Sequence, residues 1–543
     1  MKFIRNSRPQ SDAPVRTSRW TTGAALIVST PPSAQAKLGT TARIEPAGRC
    51  IRRVATALFL SLMLPASGGV QAAGAQAPDV LPPFAVGNTT LFIHDPGRGY
   101  DEAAGVEAGI RTLITEVWYP VKHESITPFR RATYGDYVFG NRSVHRLMMT
   151  RTTFFHLTPD TVAPGIVTAR IDAAIEELFT RKRGSYTDAP VARSRSPFPV
   201  VVMSHGDAGS RYNMQTACEH LAAHGYLVIA PEHTGNSPFS MTGEDPALAE
   251  DDGDPAIKAR MADVLESFNE YGTYGPLDNY GQSYTPLAED RSGAGALVAL
   301  DRALLQRLAD LRAVLGELER MNRKGKFAGT LDLARIGLMG RSFGASTVLT
   351  ALPLEHRFLA GVAVAPPSMP DPRPGLPAEL LVPAGQESAI LGAEGPYGPG
   401  EISRPTMLLM GAEDRLIIDL AAARAEAAGT GTPTAGNPFP TLRAAFDNSS
   451  APVVWAMLRD ANHASFGVSG DYWWPELKPR EFPSYFQPDV VYRLTDPDLA
   501  HRIQREKILA FFDLFVGNRP GARDSLLAND FETEDFVLEH RGF

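Results

Sequence analysis

The chain has 543 residues, 43% of them hydrophobic and 21% charged, with a net charge of −8 and two cysteines. Such a composition supports a large buried core and excludes wholesale disorder, a disulfide-stapled scaffold and a four-cysteine zinc site. It carries no basic excess of the kind that marks a nucleic-acid partner. In chain order, residues 1–72 stand apart as a leader. Arg49, Arg52 and Arg53 precede the apolar run Val54 to Leu64, which gives way to Pro65 and small residues ending in Val70-Gln71-Ala72. This is the pattern of a secretory signal peptide and implies export to the periplasm or beyond the cell. The run is shorter than the ~20 residues a membrane span requires, and no later run reaches that length, so no transmembrane anchor is expected. The leader holds ten Lys/Arg against two Asp/Glu, so the net charge divides into +8 for residues 1–72 and −16 for residues 73–543. Residues 73–543 read as a single catalytic domain.

Short Val/Ile/Leu-rich runs predict buried strands at Thr112 to Tyr119, Phe198 to Met203, Tyr226 to Ala230, Arg335 to Met339, Leu359 to Val364, Thr406 to Met410 and Val453 to Leu458. Their lack of alternation is what a parallel sheet covered on both faces requires. Helical spacing falls between them, at Met214 to His224 and, longest, at Ala294 to Met321, where Leu304, Leu308, Leu311, Leu315 and Leu318 recur at intervals of three and four. Alternating strands and helices predict an α/β fold. Two long connections, about 122–196 and 236–292, read as enlarged lid insertions. The first includes Phe154-Phe155 and a helix at Ile171 to Phe179. The second carries twelve acidic residues and three basic ones.

The strand ending at Met339 runs into Gly340-Arg341-Ser342-Phe343-Gly344, and small helix-compatible residues follow from Ala345 to Leu352. A G-x-S-x-G motif between a strand and a helix holds its serine in a tight turn with the hydroxyl exposed, which makes Ser342 the candidate nucleophile. A hydroxyl needs a base and an orienting acid, which on this architecture follow in the order acid, then histidine. Asp414, just past the strand Thr406 to Met410, is the first candidate acid, with Glu413 second and Asp371 third. His463, in the loop beyond Val453 to Leu458, is the candidate base. An oxyanion hole needs N–H donors. The backbone of Phe343 supplies one. The loop Ser204-His205-Gly206-Asp207-Ala208-Gly209 supplies another from Asp207, or from Ala208 if the carboxylate at 207 does not turn aside.

The segments Glu116-Val-Trp-Tyr-Pro120, Val202-Met-Ser-His-Gly206, Leu221-Ala-Ala-His-Gly-Tyr-Leu-Val-Ile-Ala-Pro-Glu-His-Thr-Gly235 and Phe327-Ala-Gly-Thr-Leu-Asp-Leu-Ala-Arg-Ile-Gly337 resemble the plasma-type platelet-activating-factor acetylhydrolase family and its bacterial relatives, which are often labelled dienelactone hydrolase-like. The resemblance implies an α/β-hydrolase fold, with a mostly parallel central sheet and helices on both faces. It also implies a serine esterase for short-chain or lipid-like esters. Acyl transfer through a serine needs no cofactor, and no metal site is expected. Three departures stand out. Arg341 takes the place where the family usually has His. Ala365-Pro366-Pro367 lacks the acid that the animal enzymes carry there. Ser342 stands where a true dienelactone hydrolase has Cys. A serine peptidase or amidase on the same fold, and a non-catalytic binding protein, are the alternative readings.

Two weaker signals complete the reading. His220 and His224 share a helix face, but a zincin would need Glu at 221, where Leu stands. Trp473-Trp474 and the aromatics from Phe482 to Phe486 either line an acyl pocket or pack in the core, and core packing is preferred.

Overall fold

The structure is a computed structural model that describes residues 81–543 apart from 141, 152–155, 241–244, 272–292, 368–370, 374–375, 394–401, 429–430 and 533–535. The expected leader at residues 1–72, Phe154-Phe155 and much of the acidic 236–292 connection lie outside the described residues.

The chain enters through two long strands, β1 (Ala85–Asp95) and β2 (Arg111–Val121), paired antiparallel along their full lengths. β3 (Arg131–Thr133), α1 (Arg142–Arg151), α2 (Thr168–Thr180) and β4 (Lys182–Thr187) follow. Next come β5 (Phe198–Ser204), α3 (Gln215–Ala223), β6 (Leu227–Pro231), α4 (Pro255–Tyr271) and α5 (Gly293–Arg323). The central part continues with β7 (Leu331–Arg341), α6 (Phe343–Leu354), β8 (Phe358–Val364), β9 (Thr406–Gly411), α7 (Arg415–Ala428), α8 (Pro440–Asp447) and β10 (Val453–Leu458). A small hairpin, β11 (Glu481–Pro483) with β12 (Val491–Arg493), precedes α9 (Pro497–Phe515), α10 (Ala522–Leu527) and β13 (Phe536–Arg541).

The main sheet runs in the order β13-β10-β9-β8-β7-β5-β6-β2-β1-β4-β3. Every pairing from β6 across to β10 is parallel. β2 joins β6 antiparallel, and β13 closes the other side antiparallel on β10. Alternate residues of one strand feed different cores. Val201 and Met203 of β5 pack with α3 and α9, whereas Val200 and Val202 pack with α5 and α6. Both sheet faces are therefore covered, and this explains the unbroken apolar runs. This is the expected α/β-hydrolase fold.

The 122–196 connection does more than bridge β2 and β5. Its β4 adds parallel to β1, β3 adds to β4, and Ile171, Ile175, Leu178 and Phe179 of α2 enter the core on the α3 side. The strand order also positions the site. β5 is followed in sequence by β6 on one side of it, and β7 lies on the other. The loops leaving the carboxyl ends of β5 and β7 therefore face each other across a topological switch point, where open α/β sheets form their crevice.

Candidate active site

β7 runs to Arg341 and α6 begins at Phe343, leaving Ser342 alone between them at φ 55°, ψ −122°. A left-handed φ is costly for a side chain with a Cβ and marks stored strain of about 1–3 kcal/mol. The turn is pinned by the Ser342 N–H, which donates to the Val364 carbonyl of β8 at 2.8 Å. The two motif glycines are steric necessities. A Cβ on Gly340 would collide with the Gly344 carbonyl, and one on Gly344 with the Ser204 carbonyl. The β5 loop is also near on its own side, since a Cβ on Gly206 would lie 3.1 Å from the Ser342 Cβ.

His463 opens a short turn after β10, capped by Asn462, whose Oδ1 accepts from the Ala464 N–H at 2.9 Å. Its Nε2 lies 3.0 Å from Ser342 Oγ and its Nδ1 2.8 Å from Asp414 Oδ2. Asp414 follows β9, and its other oxygen accepts from the Ile417 N–H at 3.2 Å in the first turn of α7. The three side chains are buried, with residue exposures of 6% for Ser342, 8% for His463 and 1% for Asp414. The other two candidate acids face elsewhere. Glu413 accepts from Ser484 Oγ and from the Tyr485 N–H, both at 2.8 Å, and Asp371 is paired with Arg373 at 2.7 Å.

Burial pushes the His463 pKa below its ordinary value; Asp414 opposes this and the nearby Arg341 charge adds to it. The ring is therefore neutral near pH 7. A carboxylate accepts only, so Nδ1 carries the proton toward Asp414 and Nε2 accepts from the serine hydroxyl. Arg341 is itself buried. It donates to the His463 main-chain carbonyl and, at 3.4 Å, to Asn213 Oδ1. Burial brings its pKa down to about 10, against the pull of Asp414, so it stays charged at neutral pH.

The loop after β5 is shaped by buried polar groups. Ala208 adopts φ 48°, and the Gly209 N–H returns to the Gly206 carbonyl at 3.2 Å. His205 Nδ1 lies 2.6 Å from that same carbonyl, while its Nε2 accepts from the His233 N–H at 2.9 Å. The Asp207 carboxylate is engaged by Asn236 Nδ2 at 2.6 Å. Burial raises its pKa, and Asn236, Arg307 and the Ala208 N–H resist that rise. Phe343, the other candidate donor, begins α6, where the helix N-terminus favours negative charge.

Several polar residues around the site carry no motif. Ser204 Oγ lies 2.9 Å from His233 Nε2, and His233 Nδ1 lies 2.9 Å from Asp310 Oδ2, a second serine–histidine–aspartate chain. All three residues are fully buried. Asp310 is also gripped by Arg111 at 2.7 Å and Arg98 at 2.8 Å. Burial alone would raise its pKa, but these cations outweigh it and hold the carboxyl well below the usual range. Inaccessible and ion-paired, this second chain is part of the scaffold. Arg307 and Asp310 sit on α5 among the leucines that define its apolar stripe, so periodicity hides them. The pairing of His205 with His233 was signalled only by their places in two family-like segments.

Trp473 and Trp474 are core residues packed near Tyr134 and Tyr212, in line with the preferred reading. His224 Nδ1 lies 2.7 Å from the His220 carbonyl, and among the described residues no cluster of His, Cys, Asp or Glu is arranged to hold a metal.

Comparison with known proteins bears out the family resemblance. The family profile described as platelet-activating factor acetylhydrolase, isoform II, matches residues 167–268, which include the loop after β5 and His233. The platelet-activating factor acetylhydrolase of Cavia porcellus is 25% identical over 171 residues, 31% of this chain and 35% of that protein. The match thus spans about a third of the curated relative's length. Among solved structures, a ferulic acid esterase from Streptomyces cinnamoneus superposes with a TM-score of 0.46 at 18% identity, covering 86% of this chain and 98% of that one.

Proposed function

We propose that the protein is an exported serine hydrolase that cleaves carboxylic esters, short-chain or lipid-like, through a covalent acyl-enzyme. The observation that carries this reading is the aligned chain Ser342–His463–Asp414, with links of 3.0 and 2.8 Å, at a strained strand-to-helix turn. Similarity to proteins named as acetylhydrolases supports an ester as the substrate, and the leader pattern in residues 1–72 supports export.

In this mechanism Ser342 Oγ attacks the ester carbonyl carbon while its proton passes to His463 Nε2. Asp414 fixes the tautomer and stabilises the imidazolium. The carbonyl oxygen becomes an oxyanion received by the backbone N–H groups of Phe343 and Asp207. Collapse breaks the carbon–oxygen bond to the alcohol, which leaves with the proton from His463. Water, deprotonated by the same histidine, then releases the acid and restores Ser342. The residues supply every proton movement, and no cofactor enters.

A fluorophosphonate probe should label the wild-type protein and fail to label Ser342→Ala. An unlabelled, folded wild type would overturn the reading. Profiling p-nitrophenyl esters by acyl length, beside matched anilides, assigns chain preference and separates an esterase from an amidase.

A further inference from the structure

Three polar atoms at the carboxyl end of β5 share one cation. Arg307, buried on α5, donates to the His205 carbonyl at 2.6 Å, to the Gly206 carbonyl at 3.4 Å and to Ser204 Oγ at 3.2 Å. Its guanidinium lies over the Phe343 ring, 4.4 Å from the centroid. It also donates to Asn236 Oδ1, and the amide of that same Asn236 donates to the Asp207 carboxylate at 2.6 Å. One buried charge therefore touches both halves of the proposed anion site and sits two hydrogen bonds away, through Asn236, from the one carboxylate in the loop.

We propose that Arg307 is the positioning residue of the oxyanion loop and the counter-charge that permits an aspartate at position 207. The inference rests on the ester-hydrolase reading and extends it to a residue outside every motif. A peptide's C=O and N–H point in opposite directions. Fixing the Gly206 carbonyl on Arg307 and on the His205 ring therefore fixes the direction of the Asp207 N–H across the same peptide bond. A carboxylate beside a developing oxyanion would raise the barrier by like-charge repulsion. The Asn236 bridge draws that carboxylate aside toward Arg307, whose positive charge offsets it. Ser204 completes the support. Its hydroxyl accepts from Arg307, so its proton is directed to His233 Nε2, and His233 in turn donates to Asp310.

The test is a double-mutant cycle read by steady-state hydrolysis of a p-nitrophenyl ester. Arg307→Gln should lower kcat about a hundredfold with KM little changed, as loss of transition-state stabilisation requires. Adding Asp207→Asn to Arg307→Gln should restore about tenfold of that loss, because the uncompensated carboxylate is gone. Asp207→Asn alone closes the cycle. A wild-type kcat in Arg307→Gln, a loss confined to KM, or no recovery in the double variant overturns the proposal. A purely structural role would lower stability without producing the recovery. Should Arg307→Gln not fold, Arg307→Lys decides. An ammonium cannot span both carbonyls, so kcat should fall about tenfold at unchanged KM, and a wild-type kcat overturns the proposal. Fluorophosphonate labelling of the wild type separates the two levels. No labelling overturns the ester-hydrolase reading itself, whereas normal labelling with an unaffected Arg307→Gln overturns this inference alone.

Discussion

Arg341 donates a hydrogen bond to the main-chain carbonyl of His463, so the residue before the proposed nucleophile holds the backbone of the proposed base. The same guanidinium lowers the pKa of the His463 ring, in concert with burial and against Asp414. Replacing Arg341 with Gln removes a cation that disfavours the imidazolium, so the His463 pKa should rise. The acidic limb of the kcat/KM profile should then move to higher pH. A limb that stays put, or moves down, would show that the charge does not reach the ring.

Asp414 and Glu413 are neighbours in sequence with separate tasks. Asp414→Asn keeps the shape but favours the wrong histidine tautomer, and kcat should fall by about 10⁴-fold. Glu413→Gln should leave kcat within a small factor of wild type. It should instead loosen the loop that joins β11 to β12, which Glu413 holds through Ser484 and the Tyr485 N–H. Limited proteolysis of the two variants, run beside the kinetics, checks both statements. A large kinetic loss in the Glu413 variant would reassign the acid.

Glu116 of β2 sits at the centre of a buried ionic cluster. It accepts from Asn88 at 2.6 Å, Thr90 at 2.9 Å and Arg211 at 3.1 Å, and Arg211 also pairs with Glu232 at 3.0 Å. The buried Arg183 guanidinium also lies 3.9 Å from Glu116, so Glu116→Ala would leave Arg211 and Arg183 short of a counter-charge in the interior. The expected cost is about 3–5 kcal/mol, read as a lower urea midpoint at unchanged slope. A variant within about 1 kcal/mol of wild type would mean that Glu232 and Glu219 satisfy the two arginines without it.

His156 is buried against Phe239, neither ring nitrogen has a hydrogen-bond partner among the described residues, and burial with the nearby Lys478 lowers its pKa to about 3. A depressed folded pKa means that the unfolded chain binds the extra proton first. Stability is therefore lost as pH falls below about 6.5, the ordinary histidine value. Between pH 7.5 and 5 this one residue should cost about 2 kcal/mol. His156→Phe should remove that dependence, so its stability relative to wild type should improve by about 2 kcal/mol on going from pH 7.5 to 5. Equal differences at the two pH values would refute the assignment.

The parts that sequence made legible are those whose local pattern and chemistry coincide. The parallel strands are apolar on both faces, so β5, β8, β9 and β10 stand out as runs, and the residues that follow β7, β9 and β10 lead to Ser342, Asp414 and His463. Other elements carry buried polar groups that blur the pattern. In β1, Asn88 and Thr90 interrupt the run because they hold Glu116. In α9, His501, Gln504 and Lys507 lie on the buried face, which breaks the apolar stripe expected of a core helix. Arg307 was hidden for the same reason, since a charge inside a leucine-rich helix reads as solvent-facing until its partners are known.

β10 carries the chain to His463, and its outer row of backbone donors and acceptors is taken up by β13 from Phe536 to Arg541. Without that pairing the exposed edge would be Val-Val-Trp-Ala-Met-Leu, an uncharged segment with no proline of the kind that recruits strands from other molecules. The last strand thus acts as a guard on solubility. Shortening the chain before Phe536 should drive it into aggregates before any question of turnover arises.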